Sequence, residues 1–345
     1  MVEQTPLIKV IGLCRHSRKA EGIPHEKPAG QPLKTHRSVQ VVDLASATAS
    51  ELDPLWRHEV CLWRDRLLWD ISDTCAALRR LVGRRSLPGK AVRVGDRTVG
   101  YAYYGVGERL ALIGGLVVLP DWNHTGAVEA LLWETVEHIK RQGVSRIEGQ
   151  FLSFDSPRLV AAFECVGFRT YWREFLRMVI PQARELMGPA VPMDLQPIQG
   201  VSAGEAAAIL HAAYDGSVEA EIHARYRTVD GCRRVLDDII NQGGCGRLVV
   251  EASALARHRS QGVGLVVVTE VAPRHGHLTQ VAVVPQYRRR GIGQLLLDHS
   301  VSRLVEHHFE TFSLIVSRDN APALGLYHAS GLQSVLSFPV FVWEP

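Results

Sequence analysis

The chain has 345 residues, 46% of them apolar and 22% charged, with 39 basic against 36 acidic side chains and a net charge of +3. That length and composition predict a globular protein with ample room for two cores. The even charge balance argues against nucleic acid as the main partner, and no apolar run approaches the ~18–20 residues of a membrane helix. Six cysteines, Cys14, Cys61, Cys75, Cys165, Cys232 and Cys245, are scattered with no Cys-x-x-Cys pair, which predicts free thiols in a reducing, cytoplasmic setting.

Residues 1–37 carry Pro24, Pro28 and Pro32 among many charges, and a disordered arm is expected there. The apolar Leu7 to Cys14 stretch precedes the basic cluster, the reverse of a signal peptide. Ser38 to Leu44 reads as a first strand and Ser46 to Val82 as two helices. Ala91 to Val94, Arg97 to Tyr104 and Leu110 to Val118 read as antiparallel strands joined by Gly-containing turns. A helix from Ala127 to Gln142 and a strand from Val144 to Phe151 follow, then an extended segment from Phe168 to Ile180. Pro181, Pro189, Pro192 and Pro197, with Gly188 and Gly200, mark a linker over residues 181–200. Beyond it, Ala203 to Tyr214 and Glu219 to Gln242 read as helices. Arg247 to Ala252, Gly262 to Val271, His277 to Val284, Phe312 to Val316 and Val335 to Val342 read as strands, with a helix from Gly291 to His308 between the third and fourth.

The stretch from Gln280 to Leu297 is the most informative. A strand-like apolar run enters a turn bearing Arg288, Arg289, Arg290, Gly291 and Gly293, and an apolar-periodic helix begins at Ile292. The first N–H groups of a helix lack intrahelical acceptors and sit at the positive end of its dipole, so this order builds an anion site. The two glycines leave the backbone open to a diphosphate. Downstream, Val316-Ser317-Arg318-Asp319-Asn320-Ala321-Pro322 enters another helix that carries Tyr327 and stops at Gly331. Asn320 suits the N-cap and Pro322 the first turn.

Together these segments resemble the GNAT acyl-CoA N-acyltransferases. Arg288-x-x-Gly291-x-Gly293 follows Val283-Val284-Pro285 as in the family's cofactor motif, and Asn320 to Tyr327-x-x-x-Gly331-Leu332 resembles its second motif, with Leu332 in place of the usual Phe. The resemblance implies that Arg288, Arg289, Arg290, Gly291, Ile292 and Gly293 bind the acetyl-CoA diphosphate, and that the backbone at Val281 and Val283, with Asn320, holds the pantetheine. It implies that Tyr327 protonates the leaving thiolate. The thioester would lie between the splayed ends of the strands Leu278 to Val284 and Phe312 to Val316.

A shift of about 165 residues lays the N-terminal half over the C-terminal half. Val117-Val118-Leu119-Pro120 falls on the anion motif, and Leu131, Leu132, Val136 and Ile139 fall on Leu296, Leu297, Val301 and Leu304. The chemistry does not repeat: Arg288, Arg289 and Arg290 become Asn123, His124 and Thr125, Gly293 becomes Val128, Asn320 becomes Ser156, and Tyr327 becomes Phe163. The expected fold is α/β (α+β), with two GNAT-like domains in tandem, each a mixed, mostly antiparallel sheet flanked by helices. A degenerate domain would span 38–180 and a catalytic one 201–345. The two-copy layout is similar to that of the mycothiol synthases.

The expected activity is transfer of an acetyl group from acetyl-CoA to a primary amine, on a small molecule or peptide, by a monomer or homodimer. A non-catalytic acyl-CoA-binding regulator is the alternative, and no metal is expected. Relatives' acidic base positions fall near Thr279 and Ile315, neither of them acidic. Nearby candidates for the base are His277, His275 and Glu270; His275-Gly276-His277 also reads as a polar hairpin turn. Asp215, Glu219 and Glu221 are candidates for drawing in a cationic amine, and Glu219 and Glu221 also read as helix N-terminal acids. Gly243 to Gly246, around Cys245, reads as a tight turn.

Overall fold

The computed structural model describes residues 39–107, 109–151, 157–181, 192–243 and 245–345. The expected arm, Ser38, Ser156, Gly244 and the linker segment 182–191 lie outside the described residues.

The N-terminal half runs β1 (Val39–Asp43), α1 (Ala49–Leu67), α2 (Ser72–Gly83), β2 (Gly89–Val94), β3 (Arg97–Val106), β4 (Leu110–Val118), α3 (Ala127–Lys140), β5 (Arg146–Gln150), α4 (Pro157–Cys165) and β6 (Arg169–Val179). A capping box starts α1: Thr48 accepts from the Glu51 N–H while the Glu51 carboxylate accepts from the Thr48 N–H at 2.7 Å. The C-terminal half runs β7 (Asp194–Pro197), α5 (Ala203–Tyr214), α6 (Val218–Ile222), α7 (Val229–Ile240), β8 (Arg247–Leu248), β9 (Ala254–His258), β10 (Gln261–Ala272), β11 (His275–Val283), α8 (Ile292–Glu306), β12 (Thr311–Ser317), α9 (Ala321–Ala329) and β13 (Gln333–Trp343).

Several segments differ from expectation: helix α4 was not anticipated, and the strand expected from Arg247 to Ala252 is only Arg247–Leu248. Pro-rich residues read as linker include β7, an edge strand paired to β9, where a proline's missing N–H is tolerated. The helix expected from Glu219 to Gln242 is broken at His223 and Thr228: the Ala224 N–H is given to the Glu148 carboxylate at 2.8 Å, and Thr228 caps a new helix through the Gly231 N–H at 3.0 Å. Strand β9 was hidden by the helix-favouring Ala254-Leu255-Ala256-Arg257, which tertiary pairing with β10 overrides.

The strands form one mixed, largely antiparallel sheet in the order β1-β2-β3-β4-β5-β13-β6-β12-β11-β10-β9-β7. The order shows a reciprocal exchange. The final strand of each half pairs inside the other: β13 lies against β5, and β6 lies against β12. The two exchanged strands also pair with each other, from Gln333↔Arg177 to Val342↔Arg169. Among the described residues, only β4–β5 and β11–β12 pair in parallel, one junction in each half.

The repeat seen in the sequence is a repeat in space. Strand β10 slips register against β11 around Thr279, and β3 slips against β4 around Gly114, so both halves bulge at the corresponding residue. Gly126 (φ 80°, ψ 6°) and Gly291 (φ 80°, ψ 1°) precede α3 and α8 in the same left-handed conformation, which a Cβ would strain. The four paired apolar positions of α3 and α8 are all fully buried.

The halves part company in what fills the parallel junction. In the N-terminal half, Phe163 stacks on Phe341 at 3.8 Å between ring centres, with Phe151 and Phe168 at 5.6 and 5.0 Å from Phe163. Phe341 arrives on β13, so the N-terminal core is completed by the last strand of the chain. Replacing Phe341 with Ala should cost about 3–5 kcal/mol. Because the lost ring lies where the halves interlock, denaturant unfolding followed by far-UV circular dichroism and by tryptophan fluorescence should give one shared, lowered midpoint; two separate transitions would contradict the interlock.

Candidate functional site

Parallel pairing of β11 with β12 runs from His275↔Thr311 to Leu278↔Leu314 and then stops. The bulge at Thr279 falls where the strands separate, with the Thr279 hydroxyl donating to the Val267 carbonyl at 2.9 Å. Beyond it, β11 continues to Val283 along β10 alone, while β12 continues to Ser317 along β6. This splay places Gln280 to Val283 opposite Ile315 to Ser317.

A short turn, Pro285–Tyr287, leads from β11 to the basic loop. Arg289 (φ 62°) and Gly291 (φ 80°) both adopt the left-handed conformation that turns successive N–H groups toward a common point. No side chain caps α8, so its first-turn N–H groups remain available. The arginines differ in what they do. Arg288 braces the loop, donating to the Ala213 carbonyl at 2.6 Å and the Val283 carbonyl at 3.3 Å. Arg290 lies over the Tyr287 ring at 5.0 Å, and Arg289 is exposed. Gly293 has a packing reason as well: a Cβ there would come within 3.3 Å of Leu326 on α9, so the glycine lets α9 close on the start of α8.

Asn320 caps α9, its side chain accepting from the Ala323 N–H at 3.3 Å. Tyr327 follows on the same helix and is 5% exposed. Burial first, and then the charge of Glu219, push its hydroxyl pKa above the ordinary phenol value, with Arg173 opposing. Across the splay, the Tyr214 hydroxyl donates to the Val281 carbonyl at 3.1 Å.

The histidines stand elsewhere. His277 and His275 lie within the paired part of β11, and both contact the Ser313 hydroxyl, at 2.9 and 2.7 Å. Trp69 packs edge-on against the His277 ring at 4.7 Å and Phe175 stacks beside it. Burial, with the neighbouring imidazole and Arg173, lowers the His277 pKa to about 3; burial and Arg177 lower that of His275 to about 4. His277, expected as the base, is therefore sealed under Trp69 before the splay begins. Glu270 lies at the far end of β10, paired with Arg247.

The acidic side chain that does reach the splay is Glu219, on α6. It is 7% exposed; its Oε1 accepts from the Ser317 hydroxyl at 2.6 Å and its Oε2 from Arg173 Nη2 at 2.6 Å. Burial would raise its pKa, but the Arg173 guanidinium, the Ser317 hydroxyl and His223 outweigh this and hold it below the usual carboxylate range. Asp215 and Glu221 are exposed. Arg173 and Gln280 were not singled out from sequence. Gln280 donates to the Tyr226 hydroxyl at 2.8 Å, while Gln280 Oε1 and Arg173 Nε are buried without a partner. Arg173 is one of three arginines on β6, with Arg169 and Arg177, so no feature of the sequence sets it apart. Among the described residues no group of three metal-ligating side chains converges, and no helix is long and apolar enough to cross a membrane.

A mixed α/β sheet splayed at one parallel junction, beside a glycine-turned and uncapped helix start, presents backbone N–H groups suited to an anion. Residues 222–332 match the model of the acetyltransferase (GNAT) family. The chain is 36% identical over 64 residues to the Escherichia coli [ribosomal protein bS18]-alanine N-acetyltransferase, a stretch that is 19% of this chain and 43% of that protein. It is 40% identical over 63 residues to a Sulfurisphaera tokodaii N-alpha-acetyltransferase, covering 18% and 38% of the two chains. This chain thus aligns with under half the length of these relatives. A GCN5-related N-acetyltransferase from Sphaerobacter thermophilus shares the fold over 89% of this chain and 95% of its own, with TM-score 0.62 and 16% identity. A tandem GNAT protein from the clavulanic acid biosynthesis pathway does so over 89% and 98%, with TM-score 0.54 and 15% identity.

The buried histidines make stability depend on pH. Their folded-state pKa values are depressed, so their contribution is complete above about pH 6.5, the unfolded value, and is lost as pH falls toward about 4 and 3. At pH 5 the loss should reach at most roughly 2 kcal/mol per histidine. The urea midpoint should fall between pH 7 and pH 5, and fall less in His277→Gln; equal slopes would remove His277 from the effect.

Proposed function

We propose that the protein is an acetyl-CoA-dependent N-acetyltransferase, that its chemistry resides in the C-terminal domain (201–345), and that the N-terminal domain (38–180) is a degenerate copy. The observation that carries this reading is the glycine-turned start of α8 lying beside a splay that contains Tyr327. The comparisons support acetyl transfer to an amine, since both relatives are named for it. The acceptor class extends to a small-molecule or peptide primary amine.

In this reading the diphosphate meets the N–H groups of Gly291, Ile292 and Gly293, with Arg289 and Arg290 adding charge and Arg288 fixing the loop from behind. The pantetheine runs along Val281 to Val283, with Asn320 on the facing side, and a β11 N–H meets the oxyanion that develops on the thioester carbonyl. Holding thioester and amine together in the splay supplies most of the rate gain. The Tyr327 hydroxyl, kept protonated by its surroundings, is a donor to the departing sulphur. The cluster of Phe151, Phe163, Phe168 and Phe341 in the N-terminal half supports the reading that this copy does not take the same ligand.

Calorimetric titration with acetyl-CoA should find one site per chain, abolished in Gly293→Glu, where a carboxylate would be set at the diphosphate and against Leu326. Two sites would overturn the degenerate assignment of the N-terminal half, and no binding would overturn the function. Tyr327→Phe should lower turnover by ~10²–10⁴-fold or less with acetyl-CoA affinity kept. Unchanged turnover would remove Tyr327 from the mechanism.

A further inference from the structure

Glu219 sits on a helix of only five residues, and the N-terminal half of the chain supplies several of the side chains that hold it. Arg146 on β5 donates to the carbonyls of Glu221 and Ile222 at the helix's C-terminal end. Its own guanidinium is fixed by Glu148 on the same strand, at 2.5 Å, and by Glu344. Arg173, the partner of Glu219, lies on β6, the strand that the N-terminal half lends to the C-terminal sheet. Ser317, the other partner, is the last residue of β12 and stands three positions beyond the final β11–β12 pair.

Glu219 therefore lies at the splay, held by Arg173 and by Ser317. The charged and titratable groups around it are Arg173 on β6, His223 just after α6, Tyr226 in the following turn, Tyr214 on α5 and Tyr327 on α9. Two more polar atoms of this cluster, Arg173 Nε and Gln280 Oε1, are buried with no protein partner. They offer one donor and one acceptor to whatever enters.

We propose that the reaction centre is shared between the halves: Glu219 is the catalytic residue that takes the proton of the attacking amine, and Arg173, delivered on the exchanged strand, is the positioning residue that keeps it ionised. The inference rests on the acetyl-transfer reading above. As the new N–C bond forms, the amine N–H proton passes to a Glu219 oxygen. As the C–S bond breaks, Tyr327 gives its hydroxyl proton to the sulphur and recovers one from Glu219. The balance is a neutral amine and a thioester going to an amide and a thiol, with no proton gained or lost. The relay also answers an energetic difficulty. Tyr327 alone is a weaker acid than a thiol, whose ordinary pKa is about 8.5, so unaided transfer would run uphill. Protonated Glu219 is a far stronger acid than a thiol, so transfer through Tyr327 runs downhill.

The test is the pH dependence of kcat/KM for acetyl transfer to a primary amine, in the wild type and in Arg173→Met, Arg173→Lys and Glu219→Gln. Acetyl-CoA binding is measured by calorimetry in each. In the wild type only the amine's own ionisation should shape the acid side above about pH 5, because Glu219 stays charged there. In Arg173→Met, burial is no longer opposed by the guanidinium, so a second acid limb should enter from below and steepen the log–log slope by one. Arg173→Lys should return the limb toward its wild-type position. Glu219→Gln, which keeps the Ser317 hydrogen bond, should lose about 10²-fold or more in kcat with acetyl-CoA affinity unchanged. An unchanged pH profile in Arg173→Met, or full turnover in Glu219→Gln, would overturn the proposal. Should Arg173→Met not fold, the decision rests on Arg173→Lys and Glu219→Gln, which conserve size and hydrogen bonding. A wild type that binds acetyl-CoA but acetylates no amine would instead count against the functional reading.

Discussion

The antiparallel pairing of β6 with β13 is the constraint from which the rest follows. Each strand ends one half of the chain and fills a gap in the other, so neither half has a closed sheet of its own. The pairing sets Phe341 into the N-terminal core and Arg173 into the C-terminal splay. It also places the sheet's two outer edges, β1 and β7, as far apart as the topology allows, leaving a single continuous hydrogen-bonded surface. The near two-fold repeat of bulge, turn and helix on either side follows from duplicated local sequence. The exchange joins the copies into one structural unit, and contacts such as Arg146 with Ile222, Glu148 with Ala224 and Trp69 with His277 add to it.

Much of this was legible in the residues. The apolar spacing of α3 and α8 gave both helices and their shared register with the sheet, and the conformation at Gly291 follows from a glycine standing before a helix with no capping side chain. The difference in side chains between the copies could also be read, since Phe163 has no hydroxyl and Val128 adds a branched side chain where Gly293 stands. What those substitutions do together was not legible. That Phe163 stacks on Phe341 depends on a strand nearly 180 residues away, and the alternation within β6 or β13 is equally compatible with pairing inside its own half.

The candidate site shows the same limit at the level of one side chain. His277 has the right chemical type and lies next to the motif, and spacing along a strand does not reveal where that strand parts from its neighbour. The parting comes after Leu278, which leaves His277 inside and brings Gln280 out. Glu219 carried the opposite ambiguity. A carboxylate in the first turn of a helix is ordinarily explained by the dipole, and only a buried arginine from a remote strand distinguishes it from Glu221, two positions on and exposed.

The four phenyl rings at the N-terminal parallel junction have a thermodynamic meaning. A ligand that binds only the native state stabilises it in proportion to the logarithm of its concentration. The N-terminal half holds a covalent substitute for such a ligand, always present and independent of supply. The C-terminal half has Tyr327 and an uncapped helix start in the corresponding place, so a ligand bound there would add to its stability. Because β6 and β13 are shared, a gain in one half would bear on the unfolding of the other.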